Sequence, residues 1–186
     1  LYGASALGGL VKYVTKAPNL SRVEGSAQLE LNHVDDGETG GSVRAALNLP
    51  VIQDSVAIRI SGLYERLPGY IDNPLGNKRN VNRGERYGVR GALLWQATPG
   101  FSVRLSGIWQ RDDRDAPVSI DVVGAALAPA APPAPATSIA NGGELQRNLR
   151  LGEPINRKSQ VYSATLSYDA GFASITSITS LAKLNF

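Results

Sequence analysis

Apolar and polar residues alternate along most of this chain, so the dominant period is two. Period-two alternation predicts β-strands with one apolar and one polar face. Six segments carry it. Residues 23–33 place Val23, Gly25, Ala27, Leu29, Leu31 and His33 on one face. Residues 42–49 place Val43, Ala45, Leu47 and Leu49 there. Residues 56–65 add Val56, Ile58, Ile60, Gly62 and Tyr64, and residues 86–96 add Tyr87, Val89, Gly91, Leu93 and Trp95. Residues 101–110 contribute Phe101, Val103, Leu105, Gly107 and Trp109, and residues 161–168 contribute Tyr162, Ala164, Leu166 and Tyr168. No Asp, Glu, Lys or Arg falls on these faces. The opposite faces carry Glu24, Glu30, Arg44, Arg59, Glu65, Arg86, Arg90 and Arg104. Residues 172–184 predict a seventh strand from their Ile, Thr and Ser content. Its phase is ambiguous, and a bulge is allowed for there.

Alternation alone does not say what the apolar faces meet. In a soluble β-sandwich they pack against each other; in a membrane barrel they meet lipid. Two further patterns favour the barrel. Connections one, three and five are long (34–41, 66–85 and 111–160), whereas two, four and six are short (50–55, 97–100 and 169–171). All long loops therefore leave one end of the sheet, as in outer-membrane barrels. The aromatic residues also form two levels. Tyr64, Tyr87, Trp109 and Tyr162 lie on the apolar faces beside the long loops, and Trp95, Phe101 and Tyr168 beside the short turns. Between them the faces are aliphatic or Gly, the arrangement that two membrane interfaces select. Tyr87 and Trp95 are separated by roughly 26 Å at about 3.3 Å per residue. Tilted near 45°, that is somewhat short of, but close to, the ~25 Å apolar band of such barrels.

Composition narrows the function classes. The chain of 186 residues has no Cys and one His, so a disulfide framework, thiolate chemistry and a multi-histidine metal site are excluded. A net charge of +3 with scattered Arg gives no nucleic-acid stripe. There is no Met, which is expected of a processed or excerpted chain, and no apolar run long enough for a transmembrane helix. No nucleophile–base–acid set and no metal-ligand cluster is evident, so no enzyme activity, cofactor or metal is expected. Seven strands would leave two open edges, which lipid does not tolerate. The chain is therefore expected to be part of a larger barrel.

Residues 1–18 read LYGASALGGLVKYVTKAP, a Gly-rich stretch feeding a short strand at about 10–14. A phosphate-cradling loop fails here, because Gly8 and Gly9 are followed by Leu10 and Val11 rather than Lys and Ser/Thr. Leu1, Tyr2, Gly3, Ala4, Ala6, Gly8, Gly9, Val14, Thr15, Lys16 and Pro18 match a pattern that resembles the end of the plug domain of TonB-dependent outer-membrane receptors. The resemblance extends in style over the rest of the chain, with sharp motifs only in these eighteen residues. It implies that residues 1–18 end a plug and residues 19–186 begin an antiparallel transmembrane β-barrel, all-β and incomplete. Such barrels usually have about 22 strands around the plug, so this chain would hold about a third.

The resemblance further implies residence in the outer membrane, contact with its lipid bilayer, and energy-coupled uptake of a scarce ligand, by family default a ferric siderophore. TonB would engage a region outside this chain. Ligand would bind on external loops and the plug apex, where Tyr70, Lys78, Arg79 and Arg83 could meet an anionic ferric chelate. As an ordinary hairpin loop, 66–85 would simply be solvated. Glu24, Glu30, Arg44, Arg59, Arg90 and Arg104 would face the lumen, either as a path for anions or as hydrogen-bonding partners of the plug, the reading preferred here. Asp112, Asp113 and Asp115 lack calcium-loop spacing. Residues 124–136 are Ala/Pro-rich and expected to be extended or disordered. Two rivals are a small self-contained barrel acting as an adhesin or structural protein, with an eighth strand in 146–158 or the amino-terminal segment, and a soluble β-sandwich binding module.

Overall fold

The computed structural model describes residues 14–119, 145–147 and 152–186. Seven strands form one antiparallel sheet in chain order, and no helix occurs among the described residues. The strands are β1 (Glu24–His33), β2 (Thr39–Ile52), β3 (Val56–Leu67), β4 (Gly84–Thr98), β5 (Phe101–Arg114), β6 (Ile155–Asp169) and β7 (Ser174–Asn185). β1 and β7 do not pair, so the sheet has two open edges. A sandwich requires a second sheet, and the described residues form only this one.

The registers place the expected apolar faces together on one side. Leu29 opposes Val43, Tyr64 opposes both Val43 and Tyr87, Leu93 opposes Leu105, and Val103 opposes Leu166. That side is also the open one. Leu29 and Leu31 are 78% and 86% exposed, and Leu47, Ile60, Val89, Leu105 and Leu166 are exposed as well. The buried positions of β2, β3 and β4 include Ser42, Asn48, Ala57, Arg59 and Ala92, all on the polar side. In an ordinary soluble domain the apolar side would be the covered one. Here the distribution is inverted.

The strands run further than the alternation suggests, mostly toward the long loops. β6 begins at Ile155, six residues before the segment read from the sequence, and β5 continues to Arg114. In these extensions both faces carry charge, so the period-two signal vanishes while backbone pairing continues. Ion pairs hold them: Arg86 bridges Glu65 (3.1 Å) and Asp112 (3.3 Å), and Arg114 bonds Asp112 at 3.1 Å. Residues 155–158, proposed above as part of an eighth strand, belong to β6. No eighth strand occurs among the described residues.

The bulge allowed for in the seventh strand does not occur. β6 and β7 pair without a shift from Lys158↔Asn185 to Asp169↔Ser174, and irregularities occur instead at Pro50/Ile52 and Gln96/Thr98. Ile175, Ile178, Leu181 and Leu184 recur every third residue, so a flat strand must split them between faces. Ile175 and Leu181 share the side of Tyr168 and Tyr162, while Ile178 and Leu184 take the other. The short strand expected at 10–14 and the Ala/Pro-rich stretch 124–136 lie outside the described residues, apart from Val14.

Candidate functional site

Three structural features converge on function: the polar face, the long-loop end and the two aromatic levels. On the polar face, the segment before β1 lies against the sheet. Arg90, in the middle of β4, donates to Thr15 Oγ1 (2.8 Å) and to the Lys16 carbonyl (3.3 Å). Glu24 accepts from Lys16 Nζ at 2.5 Å and from Asn19 Nδ2 at 2.9 Å, with Arg59 3.6 Å away. Asn48 is fully buried and acts as a clamp. Its Oδ1 accepts from Asn19 N, and its Nδ2 donates to the carbonyls of Asn19 and Arg22. A buried amide satisfied on both ends fixes the entry of the chain into β1.

Of the six charged residues expected on this face, Glu24, Arg59 and Arg90 are tied to one another or to the entering segment. Arg44 and Glu30 face each other loosely at 3.9 Å, and Arg104 is exposed. Arg59 Nη1 and Arg90 Nε are buried without a hydrogen-bond acceptor among the described residues. Unsatisfied buried donors on an arginine-rich face suit it to further polar contacts.

At the long-loop end, residues 68–83 form a loop with a hydrogen-bonded base and an exposed tip at 74–79. Ile71 is buried to 1% exposure. Asn82 Oδ1 accepts from Tyr70 N and Ile71 N, each at 2.8 Å, and Val81 N donates to the Ile71 carbonyl. Asp72 pairs in parallel with Gln146, and Asp72 Oδ1 accepts from Asn80 N at 3.0 Å. Asn77 and Asn80 take left-handed backbone conformations, with φ of 47° and 55°, which asparagine tolerates better than most residues. Gly69 is required by close approach, since a Cβ there would overlap the Asn80 carbonyl oxygen.

This loop, residues 115–116 and residues 152–154 enclose a cleft of about 640 Å³. Lys78, Arg79 and Arg83 line it, but Tyr70 does not. Arg83 is engaged, donating to Asp115 at 2.9 Å with Glu38 3.6 Å away. The bond to Asp115 chiefly, then the charges of Asp115 and Glu38, push its pKa up, so it stays cationic. Arg79 is 90% exposed and stands 3.9 Å from Asp72. Lys78 has no ion pair among the described residues. The cleft thus presents two available cations above a fixed third. Asp112, Asp113 and Asp115 do not converge on a cation. Their carboxylates are taken by Arg86 and Arg114, by Arg111, and by Arg83, respectively.

The aromatic levels stand on the open face. Tyr64 opposes Tyr87, and Tyr87 packs on Trp109 with ring centroids 5.6 Å apart. Trp109 lies two residues further along the sheet, opposite Val89, and Tyr162 two further again, opposite Gly107. At the other end Phe101 opposes Tyr168, one such step beyond Trp95. Both levels drift the same way across the sheet, as a plane crossing tilted strands would. Tyr64 Oη donates to Glu85 at 3.2 Å, so its ring stays apolar-side while its hydroxyl reaches a charge. His33, at the end of β1, contacts Thr39 Oγ1 at 3.1 Å and is exposed.

The sequence did not single out Asn48, Asn82 or the pairing of Asp115 with Arg83. The Asn repeats in 73–82 were the available signal for loop capping, because Asn side chains substitute for backbone partners in turns. Residues 1–13, which carry most of the plug-like motif, lie outside the described residues. No protein-family model matches the chain, and no solved structure matches it.

Proposed function

We propose that this chain is part of a TonB-dependent outer-membrane receptor that takes up a scarce ligand, by chemistry an anionic ferric chelate such as a ferric siderophore. The observation that carries the reading is the inverted sheet. Its apolar face is open and banded by aromatics, and its polar face receives the segment 14–22 through Arg90, Glu24 and Asn48. Lipid would cover the first and a plug the second. Strands outside this chain would pair with both edges, because membrane interiors leave no edge unpaired. Lys78 and Arg79 would meet the ligand at the external end, and TonB would act elsewhere in the protein.

The test uses the source cells, with and without the gene, and radioactive Fe(III) held by the chelators of their own iron-starved medium. Uptake is expected to fall on deletion and to stop when the proton-motive force is collapsed. Lys78→Gln with Arg79→Gln is expected to raise the half-saturating concentration roughly tenfold, the loss of one charge-assisted contact. Uptake unchanged by deletion would overturn the iron assignment.

A further inference from the structure

We propose that the open face of β4–β7, near the long-loop end, binds a phosphate-bearing lipid. Its headgroup would sit on Lys158 and Lys183 and one acyl chain over Gly91 and Gly107. The inference rests on the membrane reading above and adds a bound lipid to it.

The register brings cations together that the sequence separates. Lys158 opposes Arg111 on one side and Asn185 on the other, and Lys183 opposes Gln160. The two lysines are therefore diagonal neighbours on the face that carries Trp109 and Tyr162. Arg111 is compensated by Asp113 at 2.8 Å. Lys158 and Lys183 are exposed and have no ion pair among the described residues. Like charges opposed across strands destabilise a sheet, and an anion between them reverses the sign. Glu85, on the same face, is engaged by Tyr64.

The second observation is a groove on the same face, directly below. Gly91 and Gly107 oppose each other and leave a floor without side chains. Ile60, Leu93, Leu105 and Tyr162 border an open groove of about 680 Å³. Two to four residues along the strands separate this floor from the lysines, roughly 7–14 Å at about 3.4 Å per residue. A phosphate joined to an acyl chain through a glycerol-sized linker spans that distance. Free phosphate would use the lysines but not the groove. Tyr and Trp beside Lys at an interface are the usual anchors for headgroups.

Trp109 stands between the two parts and reports on them. The natural protein bearing this sequence is placed in phosphatidylcholine vesicles. These contain brominated phosphatidylglycerol or, at the same mole fraction, brominated phosphatidylcholine. The signal is the tryptophan quenching that Trp109→Phe removes. Phosphatidylglycerol is expected to be preferred at Trp109 roughly tenfold, the preference two membrane-surface lysines can supply. Lys158→Gln with Lys183→Gln should abolish the preference and keep quenching by phosphatidylcholine, which also shows that the variant has inserted. Gly91→Leu, whose added side chain meets open space, should fill the groove and lower the preference. Excess inorganic phosphate should leave it unchanged. Equal quenching by the two lipids would overturn the lipid site and leave the membrane reading standing. No quenching by either would overturn the membrane reading itself. Displacement by inorganic phosphate would reduce the site to a simple anion site.

Discussion

Leu105→Lys is expected to cost about 2–4 kcal/mol and to block stable assembly in lipid, whereas Phe101→Lys or Tyr168→Lys should cost about 0–1 kcal/mol from the charge itself. Leu105 lies mid-strand on the open face, opposite Leu93 and Ala164, while Phe101 and Tyr168 pair beside the short turns. If lipid covers this face, a charge at mid-depth has no water, and one near an interface can reach it. The gradient, more than the single loss, is the signature. It is measured by urea unfolding of the natural protein from lipid vesicles. Equal costs at the middle and the ends, after allowing for the lost aromatic ring, would argue for a protein-packed core.

A second large effect is expected in the loop 68–83. Asn82→Ala removes the acceptor for two backbone N–H groups and should cost roughly 2–6 kcal/mol locally, from about 1–3 kcal/mol for each orphaned donor. Ile71 N is buried and has no water to turn to. The loop 68–83 should then open often enough for trypsin to cut at Lys78 or Arg79 at least roughly thirtyfold faster. Asn82→Asp keeps an oxygen in place for both donors and should cleave at nearly the wild-type rate. Wild-type protection in Asn82→Ala would show that Asp72, Gln146 and Val81 hold the loop without the amide. If the cleft around Lys78, Arg79 and Arg83 holds the proposed ligand, binding should weaken along with protection.

The facing of β1 to β6 was legible because one face of each carries no charge over the stretch that alternates. That pattern is local and survives without any knowledge of neighbours. The extensions of β4, β5 and β6 were not legible, since Arg111, Asp112, Asp113 and Arg114 put charge on both faces. Backbone pairing with β4 and β6, together with Arg86 of β4 on Asp112, makes those residues strand. The phase of β7 was not legible for a different reason. An edge strand with both faces open has no burial to enforce alternation, and its Ile/Leu spacing of three fits neither face.

At the candidate site, the sequence named residues of the loop but not the loop's geometry. Lys78, Arg79 and Arg83 share a cleft with Asp115, Ala116, Gly152 and Pro154, which lie far away in the chain. Tyr70 was named with them for its chemistry, yet it does not line the cleft. On the polar face Arg90 was expected to hydrogen-bond a plug, and the structure places the segment before β1 against it. Its actual partners, Thr15 and the Lys16 carbonyl, depend on how that segment crosses the sheet. The clamp at Asn48 was invisible because a single Asn on an alternating polar face looks like any other polar residue.

The central claim is that the apolar face of this sheet meets lipid. The chain lacks cysteine, so single cysteines can be introduced and spin-labelled cleanly along β5 from residue 102 to 109. Accessibility is then read with oxygen, which partitions into lipid, and a water-soluble nickel chelate. The account predicts alternation: high oxygen access at Val103, Leu105 and Gly107, and, at Ser102, Arg104, Ser106 and Ile108, low oxygen access with nickel access wherever the lumen leaves room. Positions Val103, Leu105 and Gly107 shielded from both reagents would mean that protein covers the apolar face, and the membrane reading would fall.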